Sequence, residues 1–199
     1  MVVEANFYES YIEQGYVSRI NMIFKNYNTF PRMIDSFEEE LCDRITEEKA
    51  YNKRAAMGDL GVRVQTSGHS DPTLKQAINH LTTIEKIRKE DLHSGLLDGT
   101  DEVEKHIIEI KALNMMRFDY KSVVRALKAC LEDEEQEELT LVLKKKLNAN
   151  MMSVQRGIEL DSARKRIKRS RSKVRQQAVI YMEKRYEEDI VVWDIKDKQ

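Results

Sequence analysis

The chain has 199 residues, enough for one sizeable domain or two small ones. Charged residues make up 35% and aromatics 7%, with only seven glycines and two prolines, which argues against a hairpin-rich β protein and for an all-α one. The net charge of −1 conceals a segregation: residues 161–175 carry eight bases and one acid, so the remainder sums to −8. No run approaches the ~18 apolar residues of a membrane span. The opening MVVEANFYES lacks a basic start followed by an apolar run, so no signal peptide is expected. Cys42 and Cys130 are too few to staple a fold of this size and read as free buried thiols of a reducing cytoplasm.

In chain order, Phe7, Tyr8, Tyr11 and Ile12 share one helical face, as do Val17, Ile20, Ile23 and Phe24. Pro31 disfavours a helical residue before it, which predicts a break over 26–31. A helix from about Arg32 carries Met33, Phe37, Leu41 and Ile45 at four-residue steps, with a Glu-rich face expected to be solvated. Residues 58–72, GDLGVRVQTSGHSDP, have the composition of a linker. Ser70 or Asp71 is placed to cap the next helix, and Pro72 suits its first turn. That helix holds Leu74, Ile78, Leu81, Ile84 (or Glu85) and Arg88. It weakens near His93, and a partner with Val103, Ile107, Ile110, Leu113 and Met116 or Arg117 follows Gly99-Thr100-Asp101, giving a helical hairpin. The pattern continues through Val123, Val124, Leu127 and Leu131. The acidic run 132–138 reads as a helix start, where carboxylates meet the positive end of the dipole. That helix holds Leu139, Val142, Leu143 and Leu147 and is expected to end at Asn148–Asn150.

The stretch 152–175, MSVQRGIELDSARKRIKRSRSKVR, stands apart. Val154, Ile158 and Leu160 give a short helix an apolar side. Asp161 and Ser162 then offer an N-cap to a longer helix. In it Ala163, Ile167, Ser170, Val174, Ala178 and Tyr181 mark a narrow stripe, while Arg164, Lys165, Arg166, Lys168, Arg169, Arg171, Lys173 and Arg175 fill most other positions. A short helix, a tight turn and a basic helix form the layout of a helix-turn-helix, with the second helix entering the DNA major groove. A solvated face would interleave both signs of charge. A membrane-surface or calmodulin-target helix would need bulkier apolar residues than alanine and serine. An arginine-rich RNA-binding helix stays open.

VRVQTSGHSDPT, ahead of a helical hairpin and a C-terminal helix-turn-helix, is similar to the RinA- and ArpU-like phage transcriptional regulators, with Ser70, Asp71 and Thr73 in the matching motif. The C-terminal part resembles region 4 of sigma factors. LEDEEQEELTLVLKKKL stands at that module's first helix, and SVQRGIELDSARKRIKRSRSKVR at its helix-turn-helix. The resemblance spans roughly residues 60–180. Glu159 occupies the place of the usual turn glycine, Arg164 that of an early apolar residue, and Asn148–Asn150 that of a motif with an aromatic and a glycine. The resemblance implies a late-gene activator acting with RNA polymerase.

Nothing looks catalytic. His69, His80, His93 and His106 lack the three- or four-residue spacing of metal ligands, and neither a Cys-x-x-Cys nor a phosphate-binding glycine loop occurs. The expectation is therefore an elongated all-α protein and not an enzyme, with neither cofactor nor metal. Its segments would be an N-terminal helical region 1–57, a linker 58–72, a helical hairpin 73–131, a sigma-like helix-turn-helix 132–187 and a tail 188–199. Its partners would be double-stranded DNA and RNA polymerase, with no membrane and room for a homo-oligomer. Ser162, Arg164, Lys165 and Lys168 would reach base edges, and Arg166, Arg169, Arg171, Lys173 and Arg175 would serve the same interface. Glu134, Glu135, Ile190 and Trp193 are candidates for a protein contact. The competing class is a non-enzymatic helical adaptor whose basic helix meets an acidic protein surface.

Overall fold

The computed structural model describes residues 6–57 and 72–196, with side chains up to Arg185. Among the described residues every regular element is helical, so the chain is all-α. The elements are α1 (Asn6–Glu13), α2 (Tyr16–Asn26), α3 (Phe30–Ala56), α4 (Pro72–Lys89), a 3-10 turn (Leu92–Ser94), α5 (Val103–Cys130), α6 (Asp133–Leu143), α7 (Ala149–Arg156) and α8 (Leu160–Lys196). None of the described helices is long and apolar enough to cross a membrane. The linker residues 58–71, with the proposed caps Ser70 and Asp71, lie outside the described residues.

The helices pack as two compact units that interleave along the chain: residues 1–12 with 32–115, and 13–31 with 116–199. Each unit draws on separate stretches of the chain, and residues of α5, which no glycine or proline interrupts, belong to both ranges. Pro31 falls in the first turn of α3, where its missing N–H has no intrahelical partner to lose. The break therefore shrinks to residues 27–29, closed by the Thr29 N–H on the Asn26 carbonyl at 2.8 Å.

In the first unit Tyr8, Tyr11, Ile34, Phe37, Leu41 and Ile45 are buried, joined by Ile84, Ile87, Ile110 and Leu113. Leu74, Ile78 and Leu81 are exposed, so the core contact of α4 lies a turn later than its apolar pattern suggests. The Glu-rich face of α3 is not simply solvated. Glu38 is buried and takes the Arg88 guanidinium in a two-point pair at 2.9 and 2.7 Å. Glu48 accepts from the Asp101 and Glu102 amides at 2.6 and 3.1 Å, just ahead of α5. It also meets His106 Nε2 at 2.7 Å, while Nδ1 of that buried ring faces Glu109 at 3.1 Å. Arg44 completes the cluster, 2.9 Å from Glu109.

The second unit gathers α2, the C-terminal half of α5, and α6 to α8. Ile20, Ile23, Phe24, Val123, Leu127, Leu139 and Leu143 are buried, and the α8 stripe presents Ala163, Ser170, Val174, Ala178 and Met182 to this core. Alanine and serine at three of these positions allow close approach of backbones. A buried ion pair, Arg19 to Asp119 at 3.0 Å, ties α2 to α5. Tyr120 receives Tyr27 and Phe30 with ring centroids at 5.7 and 5.9 Å. The helix α8 continues past Arg185 to Lys196, through a stretch without glycine or proline.

Candidate nucleic-acid interface

Local chemistry sets the order α6, turn, α7, turn, α8. Asp133, Glu134 and Glu135 occupy the first turn of α6, where the dipole favours them. The helix stops at Leu143, and Lys145 takes a left-handed conformation at φ 59°. Asn148 does not end this helix; it caps the next, its side chain accepting the Met151 amide at 2.9 Å. Gly157, at φ 63°, closes α7. The Ile158 amide reaches back to the Ser153 carbonyl at 3.0 Å and the Gly157 amide to Val154 at 3.4 Å, a Schellman closure. The turn glycine is therefore Gly157, and Glu159 needs no unusual conformation. Leu147, Met152 and Ala163 form a small buried cluster, with Val142, Ala149, Ile158 and Ile167 packed on it. Val154, expected on the apolar side of α7, is 82% exposed, and Met152 takes the inward position.

The bases of α8 separate by direction. Toward α6, Arg166 Nε donates to Glu138 at 2.8 Å and Lys173 pairs with Glu135 at 3.1 Å. Arg156 of α7 pairs with Glu138 and Glu134. Glu134 and Glu135 are thus engaged within the chain, as the dipole-facing helix start allows. Lys165 pairs with Asp161 one turn back at 2.7 Å, on the surface. Ser162, Arg164, Lys168 and Arg169 are exposed.

A third direction opens on a groove of about 650 Å³ beside α8. Val142, Leu147, Ala149 and Ile167 supply its apolar floor; Lys145, Arg164, Lys168, Arg171 and Arg175 supply its charged walls, and no carboxylate lines it. Arg171 and Arg175 are half-buried, each with a buried Nε that has no hydrogen-bond partner. Burial first, then the charge of Arg175, depress the ionisation of the Arg171 guanidinium. An anion entering the groove would favour the charged form and offset both effects.

Sequence patterning therefore brings Arg164, Lys168, Arg171 and Arg175 together at the four- and three-residue steps of one face, and separates them from Arg166 and Lys173. It gave no sign of Lys145 and Asn148, which line the groove from the turn between α6 and α7. The side chains of Ile190 and Trp193 lie outside the described residues. Among the described residues no group of histidine, cysteine and carboxylate side chains could hold a metal ion. No family model matches the chain, and neither a curated protein nor a solved structure matches it.

Proposed function

We propose that α7 and α8 form a helix-turn-helix and that the protein is a sequence-specific, double-stranded DNA-binding transcriptional regulator of the phage late-activator kind, working with RNA polymerase in the cytoplasm. The observation that carries this reading is the groove: five cations converge on it without a single carboxylate, while the bases on the opposite side of α8 are neutralised internally. The chain spends its acids on holding the helices together and leaves the charge of one side for a polyanion.

From Arg164 to Arg175 the helix rises about 16 Å, enough to traverse a major groove of about 12 Å. Ser162, Arg164, Lys165 and Lys168 lie in its first two turns, where side chains of a recognition helix reach base edges. Arg169, Arg171 and Arg175 lie further along and meet phosphates. The start of α7 borders the same groove through Asn148 and Ala149, bringing free helix N–H groups toward the same strand. Polymerase contact falls to surfaces that DNA leaves free. With Glu134 and Glu135 engaged, the exposed Met151 and Val154 of α7 are the apolar candidates in this region.

The test is a gel shift of the full chain with a mixed-sequence DNA duplex, a single strand and an RNA hairpin, each at low and high salt. The reading expects the duplex to be preferred and its complex to weaken steeply with salt. Preference for the RNA would replace it with RNA binding, and binding to none of the three would favour the adaptor.

A further inference from the structure

We propose that the groove beside α8 is a binding site for a small amphipathic anion, a molecule with an aromatic or aliphatic body and at least one phosphate, sulfonate or carboxylate group. The proposal goes beyond DNA binding, and the site stands whether or not the chain binds DNA. It starts from what a duplex leaves unused. A DNA backbone asks for cations on an exposed helix face. The groove adds a recess of about 650 Å³ with an apolar floor of Val142, Leu147, Ala149 and Ile167. Recesses of that size, mostly apolar with a few placed polar groups, are the form of small-molecule sites.

The walls select the sign of the occupant. Arg164, Lys168, Arg171 and Arg175 stand along about 16 Å of α8. Lys145 joins them from the turn after α6, and Ser172 adds a hydroxyl. Among the described residues no acid lines the groove. Arg171 and Arg175 are half-buried, each with a buried, unpartnered Nε. Two such guanidiniums are costly to hold together without a counter-charge. The other side of α8 shows the remedy, since Arg166 and Lys173 are given Glu138 and Glu135. A bound anion supplies on the groove side what α6 supplies on that one.

The floor selects the rest of the molecule. Val142, Ala149 and Ile167 are only partly buried, so an apolar body laid on them removes from water an area that the fold leaves wet. An inorganic ion would neutralise the walls and leave that area exposed. Because the four α8 cations are also those assigned to DNA, the occupant and a duplex exclude each other. That consequence rests on the DNA reading; the site does not.

The probe is 1-anilinonaphthalene-8-sulfonate, which fluoresces on apolar surfaces. It is titrated into the full chain beside N-phenyl-1-naphthylamine, the same ring system without the charge. One sulfonate dye per chain is expected, bound about tenfold or more tightly than the neutral one. An apolar patch alone, such as Leu74, Ile78 and Leu81 on α4, would take both dyes alike. Arg171→Gln with Arg175→Gln should weaken the sulfonate dye about tenfold and leave the neutral one unchanged. Ala149→Asp sets a carboxylate into the floor at the first turn of α7, where the helix dipole accommodates it, and should weaken the sulfonate dye as strongly. Lys121→Gln removes an exposed charge of α5 outside the groove and should change nothing. Circular dichroism confirms the fold of each variant. No binding of the sulfonate dye, equal affinity for the two dyes, or sulfonate binding that survives both groove variants would each overturn the proposal. None of these titrations uses DNA, so failure of the gel shift and failure of this site are distinguishable.

Discussion

Counting the free cations of α8 predicts how steeply DNA binding falls with salt. Eight bases lie between 164 and 175, but Arg166 and Lys173 face Glu138 and Glu135 at 2.8 and 3.1 Å. Those two carry their counter-charge with them and release no counterion when DNA arrives. Lys165 likewise faces Asp161 at 2.7 Å. Five remain to meet the phosphates of a mixed-sequence duplex: Arg164, Lys168, Arg169, Arg171 and Arg175. With a slope near −0.9 per phosphate contact, log K against log salt should fall with a slope of about −4.5, where eight free bases would give about −7. The single replacements sharpen the contrast. Arg169→Ala or Arg171→Ala should make the slope shallower by roughly one, while Arg166→Ala and Lys173→Ala should leave it nearly unchanged. Fluorescence anisotropy of a labelled mixed-sequence duplex, titrated across a range of salt, measures both quantities. A wild-type slope near −7, or a loss of about one in the Arg166→Ala and Lys173→Ala variants, would refute the division of α8 into a neutralised side and a free side.

Three further predictions address the scaffold. Asp119→Ala strips a partner from Arg19 inside the second unit, where both side chains are almost fully buried, and should cost about 3–5 kcal/mol; thermal unfolding should show it, and the double replacement Arg19→Met, Asp119→Leu should recover most of the loss. Gly157→Ala forces a Cβ into a left-handed turn without meeting any neighbouring atom, so strain alone should cost ~1–2 kcal/mol in urea unfolding, with Gly157→Asn milder. For His106, burial lowers the pKa but the hydrogen bonds and charges of Glu109 and Glu48 outweigh it, leaving a net rise. Its stabilisation is therefore complete below pH ~6.5 and fades as pH climbs through the raised value. Glu48 is lowered, first by its hydrogen bond to His106, so its share is lost as the solution turns acidic below its ordinary range. Melting temperature should peak between the two, and His106→Gln should abolish the decline on the alkaline side.

How far the chain could be read in advance depended on whether a feature is local. The all-α class, the acidic start of α6 and the small-residue stripe of α8 follow from composition and period, and they match the structure. Pro31 and Asn148 were placed wrongly for one reason. Each sits at a helix end, where one residue can stop one helix or start the next, and periodicity is blind to the difference. Leu74, Ile78 and Leu81 keep helical spacing yet remain exposed, because periodicity says which side is apolar and not whether a neighbour reaches it. The buried His106 cluster joins α3 to α5 across more than fifty residues, with Glu48 and His106 58 apart, and no local pattern announces it. At the candidate interface the basic face was plain, but its internal neutralisation by α6 was not. Arg166 and Arg169 look alike in sequence; only the packing of α6 on one side of α8 makes the first an ion-pair partner and leaves the second exposed.

The central claim, that α8 reads DNA from the major groove, is tested most directly by selecting the full chain against a pool of randomised DNA duplexes. The account predicts enrichment of a defined sequence, with Lys165→Ala or Lys168→Ala relaxing the preference at one position at a cost of about 1–3 kcal/mol, while Arg175→Ala weakens all sequences alike. A pool that emerges without an enriched sequence, or one whose preference survives the combined replacement of Arg164, Lys165 and Lys168 by alanine, would contradict it.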